Sequence, residues 1–114
     1  MIITISVTVR VEGLHHWIMA PARRYYLRNA HRHQFLLTAT MKVGHEHREI
    51  EFHNAMDEVR KALRIIYPLQ VDTECHDFGD HSCETIGINL LHFCPWIDRI
   101  EISEDGECAA QVSR

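Results

Sequence analysis

The sequence predicts an α+β fold, β-β-α-α-β-β, with one four-stranded antiparallel sheet and two helices on one of its faces. Three observations carry this expectation. Apolar and polar residues alternate from Ile3 to Glu12 and again from Phe35 to Val43, the period-two signature of half-buried strands. Two apolar stripes at helical spacing follow. Finally, Ile100 and Ile102 lead into Asp105-Gly106, a dipeptide that favours a tight hairpin.

Taken in order, Ile3, Ile5, Val7, Val9 and Val11 interleave with Thr4, Ser6, Thr8, Arg10 and Glu12 to make the first strand. Residues 13–30 read as a loop punctuated by Gly13, Pro21 and Asn29. The second strand carries Phe35, Leu37, Ala39, Met41 and Val43 on one face and stops at Gly44. Ala55, Val59, Ala62, Leu63 and Ile66 place a helix over residues 51–66, closed by Pro68. Residues 67–80 show neither period and read as irregular. Asp80 or Ser82 is the cap of a second helix with Ile86, Leu90 and Leu91 as its stripe, ending before Pro95. Ile100 and Ile102 mark the third strand, and residues 107–112 return as the fourth.

At 114 residues the chain, 1–114, is expected to be a single domain with a modest core, so burial between subunits would help it. A net charge of −4 with histidines neutral gives no basic stripe and argues against a nucleic-acid partner. Apolar runs of a few residues exclude a membrane-spanning helix. The alternating N-terminus reads as a strand and not as a targeting segment. Cys75, Cys83, Cys94 and Cys108 form no C-x-x-C pair, which points to reduced thiols and a cytoplasmic location.

The unusual number is ten histidines. His31 and His33 open the second strand, where residues two apart face the same side. If the first two strands pair antiparallel, His15 at the exit of one lies beside the entry of the other. Parity from Val11 through Gly13 puts it on the same face. Its neighbour His16 faces the other way, so only one of the two is a ligand. Three neutral imidazoles with an open fourth position is the catalytic zinc arrangement, although nickel, copper and iron also accept such ligands. His45, His47 and His53 stand among acidic residues and read as solvated. Cys75, His76, His81 and Cys83 supply an alternative ligand set, at a spacing that matches no zinc finger.

Over nearly its whole length the chain resembles the 6-pyruvoyl-tetrahydropterin and 6-carboxytetrahydropterin synthases. The resemblance rests on V-E-G-L-H at 11–15, H-R-H at 31–33, R-E-I-E-F at 48–52 with Glu51 in the acidic position, H-S-C-E-T at 81–85, and R-I-E-I-S-E at 99–104. It implies the tunnelling fold, Zn2+ on His15, His31 and His33, and a pterin or purine-like ligand held by Glu104 and Glu84. A carboxylate such as Glu104 can take two parallel hydrogen bonds from a guanidine-like ring edge. The resemblance also implies a homo-oligomer: a hexamer of two stacked trimers, each closing twelve strands into a barrel.

The reaction it implies is that of a zinc-dependent lyase acting on a pterin precursor such as dihydroneopterin triphosphate. In that family a cysteine four residues before the His-x-His is the general base, and an Asp-His dyad relays protons. Leu27 occupies the cysteine position here and cannot move a proton. Tyr25, Tyr26 and Asn29 are its neighbours. For the dyad the chain offers Asp80-His81, with His76 as a second histidine. The missing thiol keeps two further readings open: a pterin- or purine-binding protein that has lost or changed the chemistry, and a dihydropterin aldolase-type activity.

Overall fold

The computed structural model describes residues 1–114 throughout. β1 (Ile3–His15) and β2 (His31–Val43) form a long antiparallel pair, with Ile3 opposite Val43 at one end and His15 opposite His31 at the other. The odd-numbered residues of both strands face the core: Val7, Val9, Phe35, Leu37, Ala39 and Met41 are all buried. On the other face the side chains are polar apart from Leu14 and Leu36, and Ser6–Thr40 and Thr8–Thr38 hydroxyl pairs bridge the strands at 3.0 and 2.9 Å.

α1 (Phe52–Ile66) begins where the Glu51 carboxylate accepts from the Asn54 N–H at 2.7 Å, the bond that satisfies an otherwise free first-turn donor. It buries Ala55, Val59, Ala62 and Leu63. α2 (Cys83–Phe93) is capped by Ser82, whose hydroxyl accepts from Thr85 N–H at 3.2 Å; of the two expected caps, Asp80 is not the one used. Its buried stripe of Ile86, Leu90 and Leu91 joins the same core as α1, β1 and β2. β4 (Arg99–Glu104) pairs with β2, and β5 (Cys108–Ser113) with β4. Asp105 and Gly106 between them both have positive φ, 55° and 73°, and Glu107 N–H closes the turn on the Glu104 carbonyl at 3.0 Å.

The sheet differs from the expectation in one strand. β3 (Cys75–Gly79) lies in the segment read as irregular and pairs parallel to β1, so the sheet has five strands, is mixed, and runs β3-β1-β2-β4-β5. In β3 two consecutive residues, Cys75 and His76, are buried, so alternation is lost over a run of five. Gly13 is what lets it dock. A Cβ at that position would stand 2.2 Å from a Phe78 ring carbon and 2.9 Å from Phe35, so the Phe78 ring occupies the space a side chain would need. β1 also runs three residues past the predicted stop, to His15, and residues 22–28 of the expected loop form a 3-10 helix that buries none of its side chains. No helix is long and apolar enough to cross a membrane.

Candidate metal centre and its cavity

The register of β1 and β2 places three histidines on the core face at one end of the sheet. His15 is opposite His31, and Gly13, without a side chain, is opposite His33. Phe35 lies beneath them, its ring centroid 5.3 Å from that of His15 and 5.7 Å from that of His33. Ligand-capable atoms of His15, His31 and His33 lie within 4.8 Å of one another. His16 is not in this group.

The second nitrogen of each ring is held. His15 Nδ1 donates to the His81 carbonyl at 3.1 Å, and His31 Nδ1 to the Asn29 carbonyl at 2.9 Å. His33 Nδ1 donates to the Asp105 carboxylate at 2.6 Å. All three partners are acceptors, so each Nδ1 carries the proton and each Nε2 keeps its lone pair. The Nε2 atoms of His15 and His33 are 3.3 and 3.5 Å from the two oxygens of Glu104. Two lone pairs facing a carboxylate repel it unless a cation or a proton lies among them. Burial lowers the His15 pKa, outweighing the opposing effects of its carbonyl partner and of Glu104, and a neutral ring is the form that can coordinate.

Asp105 belongs to this site, although the Asp-Gly pair reads in the sequence only as a turn. Its second oxygen accepts from Gln34 N–H at 2.8 Å, and its own N–H donates to the Gln34 carbonyl at 2.7 Å. These contacts, the Gln34 N–H first and His33 next, hold the Asp105 carboxyl below its ordinary pKa.

The histidines open into a cavity of about 380 Å³ lined also by His16, Trp17, Leu27, Asp80, His81, Ser82, Cys83, Glu84 and Glu104. Asp80, His81, Glu84 and Glu104 are thus brought together around it. His76 is not: it is buried in β3, stacked on Phe78, with Nδ1 bonded to the Tyr67 carbonyl at 2.6 Å. Cys83, in the first turn of α2, donates its S–H to Glu104 at 3.4 Å. Burial, reinforced by Glu104, pushes this thiol up to about 12. No second ligand cluster of Cys75, His76, His81 and Cys83 forms, since the three histidines are the sole group with metal-ligating proximity. The four cysteines are free thiols.

This architecture, a mixed sheet with its helices on one face and a histidine cluster at one end, is the tunnelling fold of the 6-pyruvoyl-tetrahydropterin synthases. The chain superposes on 6-pyruvoyl tetrahydropterin synthase from Caenorhabditis elegans with a TM-score of 0.64 at 11% identity, over 99% of this chain and 96% of that one. An uncharacterized protein from Wolinella succinogenes superposes with a TM-score of 0.71 at 10% identity, over 100% and 99% of the two chains. No family model and no curated protein matches the sequence, so the likeness lies in the fold.

Proposed function

We propose that the protein is a zinc-dependent member of the 6-pyruvoyl/6-carboxytetrahydropterin synthase type that binds a pterin precursor such as dihydroneopterin triphosphate. The observation that carries this reading is the set of three imidazoles whose Nδ1 atoms are all bonded to acceptors while Nε2 of His15 and His33 face one carboxylate. That donor set suits Zn2+, with His15, His31 and His33 as ligands. Bound there, zinc would act as a Lewis acid toward oxygen atoms on the side chain of the ligand.

The other wall of the cavity supports the ring. Glu104 accepts hydrogen bonds and currently takes only one weak S–H donor, from Cys83. It is suited to the N–H edge of a pterin or purine. Glu84, at the start of α2, offers a further carboxylate at the same cavity. Asp80 and His81 are the groups available for proton transfer. His76 is enclosed away from the cavity, and we leave it out of the site.

One observation favours a slow or altered reaction over the standard one. Leu27 lines the cavity where the resemblance calls for a thiol, and the thiol that is present, Cys83, is held protonated near neutrality. A positioned general base is typically worth about 10²–10⁴ in rate. Pterin binding with weak turnover is therefore expected, and a repurposed or purely binding role is the second reading. Incubation of the zinc-loaded protein with dihydroneopterin triphosphate, followed by mass analysis, reads the reaction. Calorimetry with neopterin on the native chain and on Glu104→Ala reads the pocket, with a loss of roughly 1–3 kcal/mol expected in the variant. Absence of any pterin binding would remove this function.

β5 is paired on one side only, while the outer side of β3 meets only a short bridge at Leu69, and open edges favour closure by neighbouring chains. A homohexamer in the cytoplasm is the assembly we propose; a monomer in light scattering at micromolar concentration argues against it.

A further inference from the structure

A further histidine at the cavity, His81, is held in the opposite manner to the three of the cluster. Its Nδ1 lies 2.9 Å from the hydroxyl of Tyr67, and Asn89 Nδ2 donates to that same hydroxyl at 2.9 Å. Tyr67 is only 4% exposed, and these are the two partners of its hydroxyl. The side-chain amide nitrogen of Asn89 can only donate. If His81 Nδ1 also donated, the buried phenol would have two donors and no acceptor for its own proton, a costly arrangement. The Tyr67 O–H must therefore donate to His81 Nδ1, and the proton of a neutral His81 sits on Nε2. That nitrogen is 4.0 Å from the Asp80 carboxylate, beyond hydrogen-bonding reach, so its N–H is free for a ligand. The backbone fixes the ring's place as well, since the His81 carbonyl accepts from His15 Nδ1 and the His81 N–H donates to the Phe78 carbonyl at 3.1 Å.

We propose that Tyr67 and Asn89 are positioning residues that lock His81 as the Nε2–H tautomer. The cavity then offers a directed N–H donor beside the acceptor carboxylate of Glu104. The subsite next to His81 takes an oxygen acceptor of the ligand, a hydroxyl, carbonyl or phosphate oxygen. The inference rests on the pterin reading only for the identity of that ligand.

The tautomer is readable without activity or ligand, by long-range proton–nitrogen correlation of 15N-histidine in the zinc-loaded protein. His81 is expected as Nε2–H. In Asn89→Asp the new carboxylate takes the Tyr67 proton, the phenol oxygen turns acceptor, and His81 should switch to Nδ1–H while the fold is kept. Tyr67→Phe should leave a mixture of both tautomers. Neopterin affinity by calorimetry should fall roughly tenfold in Asn89→Asp, because the ligand oxygen loses its donor. Native His81 found as Nδ1–H would overturn the proposal, as would an unchanged tautomer in Asn89→Asp. Neopterin binding with equal affinity to both proteins, despite a switched tautomer, would overturn the oxygen subsite. Native protein with the Nε2–H tautomer that binds no neopterin would contradict the pterin reading alone.

Discussion

Two regions meet at the cavity and deliver histidines to it by different means. At the end of the β1–β2 ladder, His15, His31 and His33 are placed by strand register, each pair fixed by backbone hydrogen bonds running back to Ile3 and Val43. At the junction of β3 and α2, His81 is placed by side chains from distant positions, Tyr67 and Asn89. The first region bonds every Nδ1 to an acceptor; the second bonds Nδ1 to a donor. The same side chain is thereby turned into a lone-pair ligand in one region and an N–H donor in the other. What distinguishes them is the hydrogen-bond partner of the hidden nitrogen, and that partner is invisible to any count of histidines.

The largest expected effect tests the first region directly. Alanine at His31 and His33 together should reduce bound zinc from about one per chain to near none, as measured by elemental analysis of protein purified in the presence of the metal. His16→Ala should leave the stoichiometry unchanged, because His16, just past the end of β1, lines the same cavity but lies outside the ligand cluster. Unaltered metal content in the His31/His33 variant, or loss in His16→Ala with retention in His15→Ala, would reassign the site.

Asp105 sharpens the same comparison at smaller scale. It orients His33 through Nδ1 at 2.6 Å and is itself pinned by two bonds to Gln34. Partners of this kind typically contribute 10–100-fold to metal affinity. Asp105→Ala should weaken zinc binding by about that factor in a chelator competition assay while leaving one zinc per chain at saturating metal. An affinity equal to that of the native chain would mean that the ladder alone orients His33.

How much of this was legible in the sequence follows the same division. Period-two alternation announced β1 and β2, and it carried on in phase through His15, His31 and His33, so the cluster could be read from parity together with the antiparallel pairing of the two strands. Stripes of apolar residues announced α1 and α2, and Asp105-Gly106 announced the β4–β5 turn. β3 was hidden because its five residues bury Cys75 and His76 side by side and because its partner, β1, lies some sixty residues earlier, paired through Glu12 and Cys75. Asp105 was hidden behind its own turn signal. Only the pairing of Phe35 with Glu104 shows that the residue after β4 must stand beside Gln34 and His33. Tyr67 fell at the start of the segment read as irregular, and its hydroxyl contact with His81 depends on a chain reversal that no local pattern encodes.

The smallest expected effect concerns Cys83, which joins the two regions by reaching from α2 to Glu104 on β4. Burial is the first cause that raises its pKa to about 12, and the negative charge of Glu104 is the second. At pH 8 almost none of it is thiolate, and the thiolate is the reactive form. Iodoacetamide should therefore modify exposed Cys108 first and Cys83 far more slowly, as followed by peptide mass analysis. Glu104→Gln removes the charge but not the burial. The Cys83 pKa should fall while staying above the ordinary thiol value, so its labelling should quicken yet remain slower than that of Cys108. The sign matters for function. A thiol that ionises only at high pH cannot stand in for the base absent at Leu27. Labelling of native Cys83 as fast as Cys108 would show a thiolate available near neutrality, and Cys83 would then become the first residue to test as the base of a working synthase.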